Sequence, residues 1–149
     1  MYDVTATGEL LIDFTRNGLS EQNNRIYEAN PGGAPCNVLA MLGKLGYKTA
    51  FIGKVGDDKF GKLLKNTISE QKIDSTGLVM DPDAKTTLAF VDNDETGDRS
   101  FSFYRKPGAD MMLREDEVNY ELIDNCRIFH FGSLSMTDEP VRSATYAMV

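Results

Sequence analysis

The sequence predicts an α/β fold built on a mostly parallel sheet. Amphipathic helical patterns alternate with compact apolar strands over residues 35–71, and a Pro31-Gly32-Gly33 break separates them from a β-rich opening. Tyr2 to Gly8 and Leu10 to Phe14 read as extended segments, Arg16 to Asn24 as a polar turn, and Arg25 to Ala29 as a short return strand. Pro35 opens a helix carrying Val38, Leu39, Met41, Leu42 and Leu45, which Gly46 ends. Thr49 to Val55 is the next strand. A second helix follows from Asp58 to about Gln71, with Phe60, Leu63, Leu64 and Ile68 on one side.

Beyond this run the pattern changes. Thr86 to Asp92 and Ser100 to Arg105 flank the acidic turn Asn93–Asp98 and predict a β-hairpin, with Phe101 and Phe103 on one face and Ser100, Ser102 and Tyr104 on the other. Asp116 to Asn125 is expected to be helical and Arg127 to Phe131 a buried strand. Residues 138–149 read as a capped helix start with Pro140 in its first turn. No glycine or polar tail closes that helix, so the chain is expected to stop inside an element of a longer protein.

The composition excludes several classes. The chain has 149 residues, 41% apolar and 26% charged, as a globular domain with its own core requires. A net charge of −7 argues against nucleic-acid and anionic-membrane partners. Cys36 and Cys126 are too few for a disulfide framework, and no signal-like or membrane-spanning apolar run occurs, so a cytoplasmic protein is expected.

The most informative segment is Gly32-Gly33-Ala34-Pro35-Cys36-Asn37. Two glycines allow a ligand close to the backbone, the helix start offers free N–H groups, and the Asn37 amide can both donate and accept. Taken locally, the same residues equally suit a simple turn into a helix. Gly56-Asp57-Asp58-Lys59-Phe60-Gly61-Lys62-Leu63 approaches a phosphate-binding loop, but Leu63 stands where a magnesium-ligating hydroxyl is needed and two aspartates would repel phosphate. A turn with Asp57 or Asp58 capping the helix is the better reading. His130, the single histidine, sits in an apolar strand and reads as a core residue; no metal site is legible.

Gly32 to Asn37, followed by Gly46, Gly53 and Val55-Gly56-Asp57-Asp58-Lys59-Phe60-Gly61, resembles the first signature of the PfkB (ribokinase-like) carbohydrate kinases. Gly8 to Phe14, Phe103 to Asp110 and Phe129 to Ser133 extend the resemblance along the whole chain, corresponding to the N-terminal half of a family member. Leu39 departs from the small residue usual there. The resemblance is greatest to fructokinases, with 2-keto-3-deoxygluconate, ribose and nucleoside kinases, or an inert sugar-binding fragment, as alternatives. It implies a ribokinase-like sheet with helices on both faces and a small β-lid from segments of about 10–30 and 86–105, all within one domain over 1–149. It further implies ATP and Mg2+ as cofactors held mainly by the remaining half, a sugar as substrate, and a homodimer formed through the lid.

The family's roles carry onto matching positions: Asp13 as acceptor for sugar hydroxyls, Gly32, Gly33 and Asn37 as the sugar-facing loop, Tyr104 and Arg105 as lid-end contacts. Arg105 is also a candidate charge stabiliser. Ala89 and Phe90 are candidates for the lid's inner face, with core packing an open alternative for Phe90. The family's catalytic base lies in a Gly-Ala-Gly-Asp motif; Gly108-Ala109-Asp110 lacks its second glycine, so no catalytic base is assigned in this chain.

Overall fold

The computed structural model describes residues 1–93 and 99–149; the acidic turn expected at 93–98 therefore lies almost wholly outside the described residues. Two four-stranded sheets organise the described residues. Its elements are β1 (Tyr2–Thr7), β2 (Leu11–Leu19), β3 (Arg25–Gly32), α1 (Ala34–Lys44), β4 (Thr49–Gly56), α2 (Lys59–Glu70), β5 (Asp74–Asp81), β6 (Leu88–Asn93), β7 (Arg99–Tyr104), α3 (Glu121–Asp124), β8 (Cys126–Phe131) and α4 (Val141–Met148). Short 3₁₀ turns occupy Ala109–Met112, Glu115–Glu117 and Ser133–Met136.

The first sheet runs β5-β4-β1-β8, every neighbour pair parallel. β4 is buried throughout, and its alternation explains the layers on either side. Phe51 and Val55 pack with Leu39 of α1 and Leu64 and Ile68 of α2. Ala50 and Ile52 face the other way, under Leu113, Leu122, Val141 and Met148. Each fully buried Leu, Ile or Phe contributes roughly 1.5–3 kcal/mol. The expected α/β fold, with a parallel sheet between helical layers, is the fold observed.

Local chemistry sets the helix ends. Asp58 is the N-cap of α2 and accepts from the Gly61 N–H at 2.8 Å. At the end of α1, the Gly46 and Tyr47 N–H groups return to the Gly43 and Leu42 carbonyls, a Schellman closure.

The second sheet runs β3-β2-β6-β7. β2 and β6 are parallel, the outer pairs antiparallel. The hairpin expected over 86–105 is present as β6 and β7. β2 runs through the polar stretch expected to be a turn and ends at Leu19, past an irregularity between Arg16 and Leu19. That arm is largely exposed, so it carries no apolar alternation to mark it as strand. β5 was not expected at all, because Asp74-Ser75-Thr76-Gly77 has the composition of a turn.

Two further elements differ from expectation. The helix expected over Asp116–Asn125 is divided between a 3₁₀ turn and the single turn α3. Among the described residues β8 pairs with β1 alone and is partly exposed, with Ile128 60% and Phe131 40% exposed, and His130 is half-buried rather than core.

Candidate functional site

Cross-strand partners in a sheet share a face, so the register of the second sheet decides which candidates can act together. Asp13 on β2 pairs with Asn30 on β3 and Ala89 on β6, and Ala89 pairs with Phe103 on β7. Asn30, Asp13, Ala89 and Phe103 thus form one row on one face. Phe14, Phe90 and Ser102 form the neighbouring row on the opposite face. There Phe90 stacks on Phe14 at 5.0 Å and meets Tyr27 and Tyr104 edge-on at 5.5 and 5.4 Å, while Phe14 reaches Phe60 of α2 at 5.6 Å. Ala89 and Phe90 therefore cannot line one inner face, and Tyr104 lies across the sheet from Asp13. Ala89 itself has no exposed surface; it is a floor rather than a contact. Phe103, half exposed and stacked on Phe101 at 6.0 Å, shares Asp13's face and was not nominated from sequence.

The Asp13 carboxylate has no hydrogen-bond donor among the described residues, and burial pushes its pKa above the ordinary value. Gly32, paired with Leu11 next to Asp13, brings its backbone against that carboxylate. A Cβ at Gly32 would collide with Asp13 Oδ2. Asp13 and Gly32 are therefore brought together, the carboxylate resting where a side chain at Gly32 would lie.

The start of α1 is built differently from the simple reading of free N–H groups. Gly33, at φ 122°, is the N-cap and has no side chain to cap with. Glu9 supplies the cap from the loop after β1: its Oε1 accepts from the Ala34 N–H at 3.0 Å. Pro35 has no N–H, and the Asn37 N–H returns to the Gly33 carbonyl at 3.0 Å. Of the donors at this helix start, the Ala34 N–H is therefore committed to Glu9 and Pro35 offers none. Glu9 is 5% exposed and its Oε2 is buried without a partner among the described residues. Cys36 lies nearby, its thiol pushed up by burial and by the Glu9 charge, hence unreactive. Asn37 is exposed and borders a groove of about 230 Å³ between α1 and α2, shared with Gly32, Met41, Thr67 and Gln71 but not with Asp13.

Arg105 follows β7. Its Nε donates to Asp110 Oδ2 at 2.8 Å, and Asp110 Oδ1 accepts from the Thr87 hydroxyl at 2.5 Å. Asp110 is 4% exposed, so Arg105 is anchored by a buried carboxylate rather than solvated. The Gly56–Gly61 turn does not fit a nucleotide phosphate. Asp58 occupies it, accepting from Gly61 N–H, Thr86 N–H and the Thr86 hydroxyl. Nor, among the described residues, do three His, Cys, Asp or Glu side chains gather as a metal centre needs. No helix among them is long and apolar enough to cross a membrane.

The family model described as pfkB family carbohydrate kinase matches residues 1–149. The chain belongs to the pfkB family. This pfkB chain is 46% identical over 143 residues to fructokinase-1 of Zea mays, covering 95% of itself and 44% of that protein. It superposes on the ATP-bound fructokinase of Xylella fastidiosa with a TM-score of 0.90 at 36% identity, covering 99% of itself and 47% of the other chain. A fructokinase from Vibrio cholerae O395, solved with fructose, ADP and a calcium ion bound, matches at a TM-score of 0.83 and 33% identity over 99% and 46% of the two chains. The pfkB chain thus spans about half the length of these relatives, and the ribokinase-like α/β fold expected from its motifs stands.

Proposed function

We propose that this chain forms the sugar-binding part of an ATP-dependent sugar kinase that transfers the γ-phosphoryl of ATP to a sugar hydroxyl, with fructose the leading substrate. The observation that carries the reading is the Asp13 carboxylate, partly desolvated, without a donor of its own among the described residues, and set against the bare backbone of Gly32. Sugar hydroxyls are the donors such a site lacks, and a charged acceptor makes the stronger hydrogen bonds. The fructokinase relatives support fructose over other sugars.

In this account Asp13 orients the sugar, Gly32 and Gly33 form the loop that faces it, Asn37 supplies amide contacts at the rim, and Arg105 faces developing negative charge. The second sheet, with its segments of about 10–30 and 86–105, acts as a lid that excludes water from the transfer. Its exposed outer strands are the surfaces through which two copies would pair. ATP and Mg2+ bind mainly through residues outside this chain, as does the base that takes the hydroxyl proton. The free thiols of Cys36 and Cys126 support a reducing, cytoplasmic setting.

The test is ADP release by the protein from its complete reading frame, with ATP, magnesium and fructose, glucose, ribose or 2-keto-3-deoxygluconate. Fructose-dependent release that exceeds release with the other sugars is the expected result. A folded protein that releases no ADP with any sugar would refute the kinase reading.

A further inference from the structure

The Gly108-Ala109-Asp110 stretch has no part in the activity proposed above, yet it is among the most constrained places in the fold. Asp110 is 4% exposed and holds two donors from residues flanking the β6–β7 hairpin. The Thr87 hydroxyl comes from the residue just before β6, and the Arg105 Nε–H from the residue just after β7. Asp110 itself lies in the 3₁₀ turn Ala109–Met112, from which Met111, with Leu113 just after it, joins the core under Ala50 and Ile52. The hairpin's root is thus fastened to the first sheet's layer through one carboxylate. Gly108 completes the fit: a Cβ there would collide with the Thr87 hydroxyl and stand 2.7 Å from Asp110 Oδ1 and 3.1 Å from Arg105 Cγ. The backbone bond from Ala109 N–H to the Lys85 carbonyl, 2.8 Å, closes the same junction.

The consequence for Arg105 is geometric. Its Nε is committed to Asp110, and Nη2 makes one long contact, 3.5 Å, to the Leu134 carbonyl beyond β8. Nη1 has no partner among the described residues. A guanidinium fixed at Nε keeps its outer edge available in one orientation, whereas an unanchored arginine would spread over many rotamers.

We propose that Asp110 is a positioning residue for Arg105, and that the pair acts as one unit toward the acceptor sugar or the group transferred to it. The inference rests on the sugar-kinase reading and adds to it a residue that contacts no ligand itself. Asp110 acts through Arg105 alone, with Thr87 holding the carboxylate in the required rotamer.

A double-mutant cycle in the protein from its complete reading frame tests this, reading kcat/KM for fructose together with thermal melting. Asp110→Asn, which keeps the shape but loses the charge on Arg105, is expected to lower kcat/KM about 10- to 100-fold. Arg105→Ala is expected to do the same, and the double variant to be no worse than Arg105→Ala. Thr87→Val is the milder probe should Asp110→Asn melt below the assay temperature. Its expected loss is about 3- to 10-fold, again absent in the Arg105→Ala background. Losses that multiply in the double variant, or full activity in Asp110→Asn, would overturn the proposal while wild-type turnover leaves the kinase reading intact. A wild-type protein that neither turns over nor binds a sugar would instead remove the reading on which the proposal rests, and the proposal with it.

Discussion

Replacing Lys54 by methionine should destabilise the protein by about 3–5 kcal/mol at pH 7, because it leaves the buried Asp81 carboxylate without its cation and Glu117 to the exposed Arg114. Lys54 projects from β4 with its side chain 4% exposed. Its Nζ lies 2.9 Å from Asp81 Oδ2, 2.8 and 2.9 Å from the two Glu117 oxygens, and 3.1 Å from the Met112 carbonyl. At an effective dielectric near 20, each ion pair is worth roughly 6 kcal/mol gross, most of which desolvation of the three charges removes. Burial by itself would raise the Asp81 carboxyl. The Ala84 and Asp83 N–H groups and the Lys54 ammonium outweigh that and hold it at about 2. A group depressed in this way stabilises the fold above its unfolded value, near 4, and loses that contribution as pH falls toward 2. Without Lys54 the Asp81 carboxyl loses part of what lowers it and titrates higher, so the variant should close part of its deficit between pH 7 and pH 4. Asp81→Asn added to Lys54→Met should recover at least about 1 kcal/mol, since the amide oxygen can still accept from Asp83 and Ala84. Urea unfolding at both pH values, with slopes compared, reads all three quantities. A deficit below about 1 kcal/mol at pH 7, or one unchanged at pH 4, would refute the reasoning.

Two further expectations concern the site. Glu9→Ala should cost about 1–2 kcal/mol in urea unfolding by uncapping α1, and Glu9→Gln less, since its amide oxygen can still accept from Ala34; equal losses would show that the cap is not what Glu9 provides. Gly32→Ala should weaken fructose binding about tenfold or more, with little change in Tm, because the new methyl displaces the Asp13 carboxylate. Unchanged affinity, read by calorimetric titration, would separate Gly32 from the sugar.

The parts of the fold governed by local signals were legible in the sequence. The Gly46 closure, an aspartate cap at Asp57 or Asp58, the strand from Thr49 to Val55 and the β6–β7 hairpin all announce themselves through turn chemistry or periodicity. Elements held by partners far along the chain were not. β5 hides behind Asp74-Ser75-Thr76-Gly77, and the outer arm of β2 is a strand only because β3 folds back on it. β8 shows the converse, an apolar run that reads as buried yet is partly exposed among the described residues.

The site was legible as a set of residue types and much less as a geometry. Asp13 and the Gly32-Gly33 pair stand out by motif, and the structure sets Asp13 against Gly32. Strand parity, once the register is known, splits Ala89 from Phe90 and Tyr104 from Phe103. That parity was available for Phe103, since residues two apart share a face, but the register tying Phe103 to Asp13 through Ala89 was not. The same limit applies to Glu9, Lys54 and Asp110, whose partners lie on other elements.

The most direct test of the central claim, that the Asp13 face of the second sheet holds the sugar, is a calorimetric titration of fructose into wild type and Asp13→Asn from pH 7 to pH 4.5. Loss of a charged acceptor should weaken binding about 10- to 100-fold at pH 7. Wild-type affinity should fall on acidification, as the raised Asp13 carboxyl takes up its proton above the ordinary carboxylate value, while the variant's stays flat. Fructose binding that is equally tight in both proteins, with the same pH profile, would contradict the account.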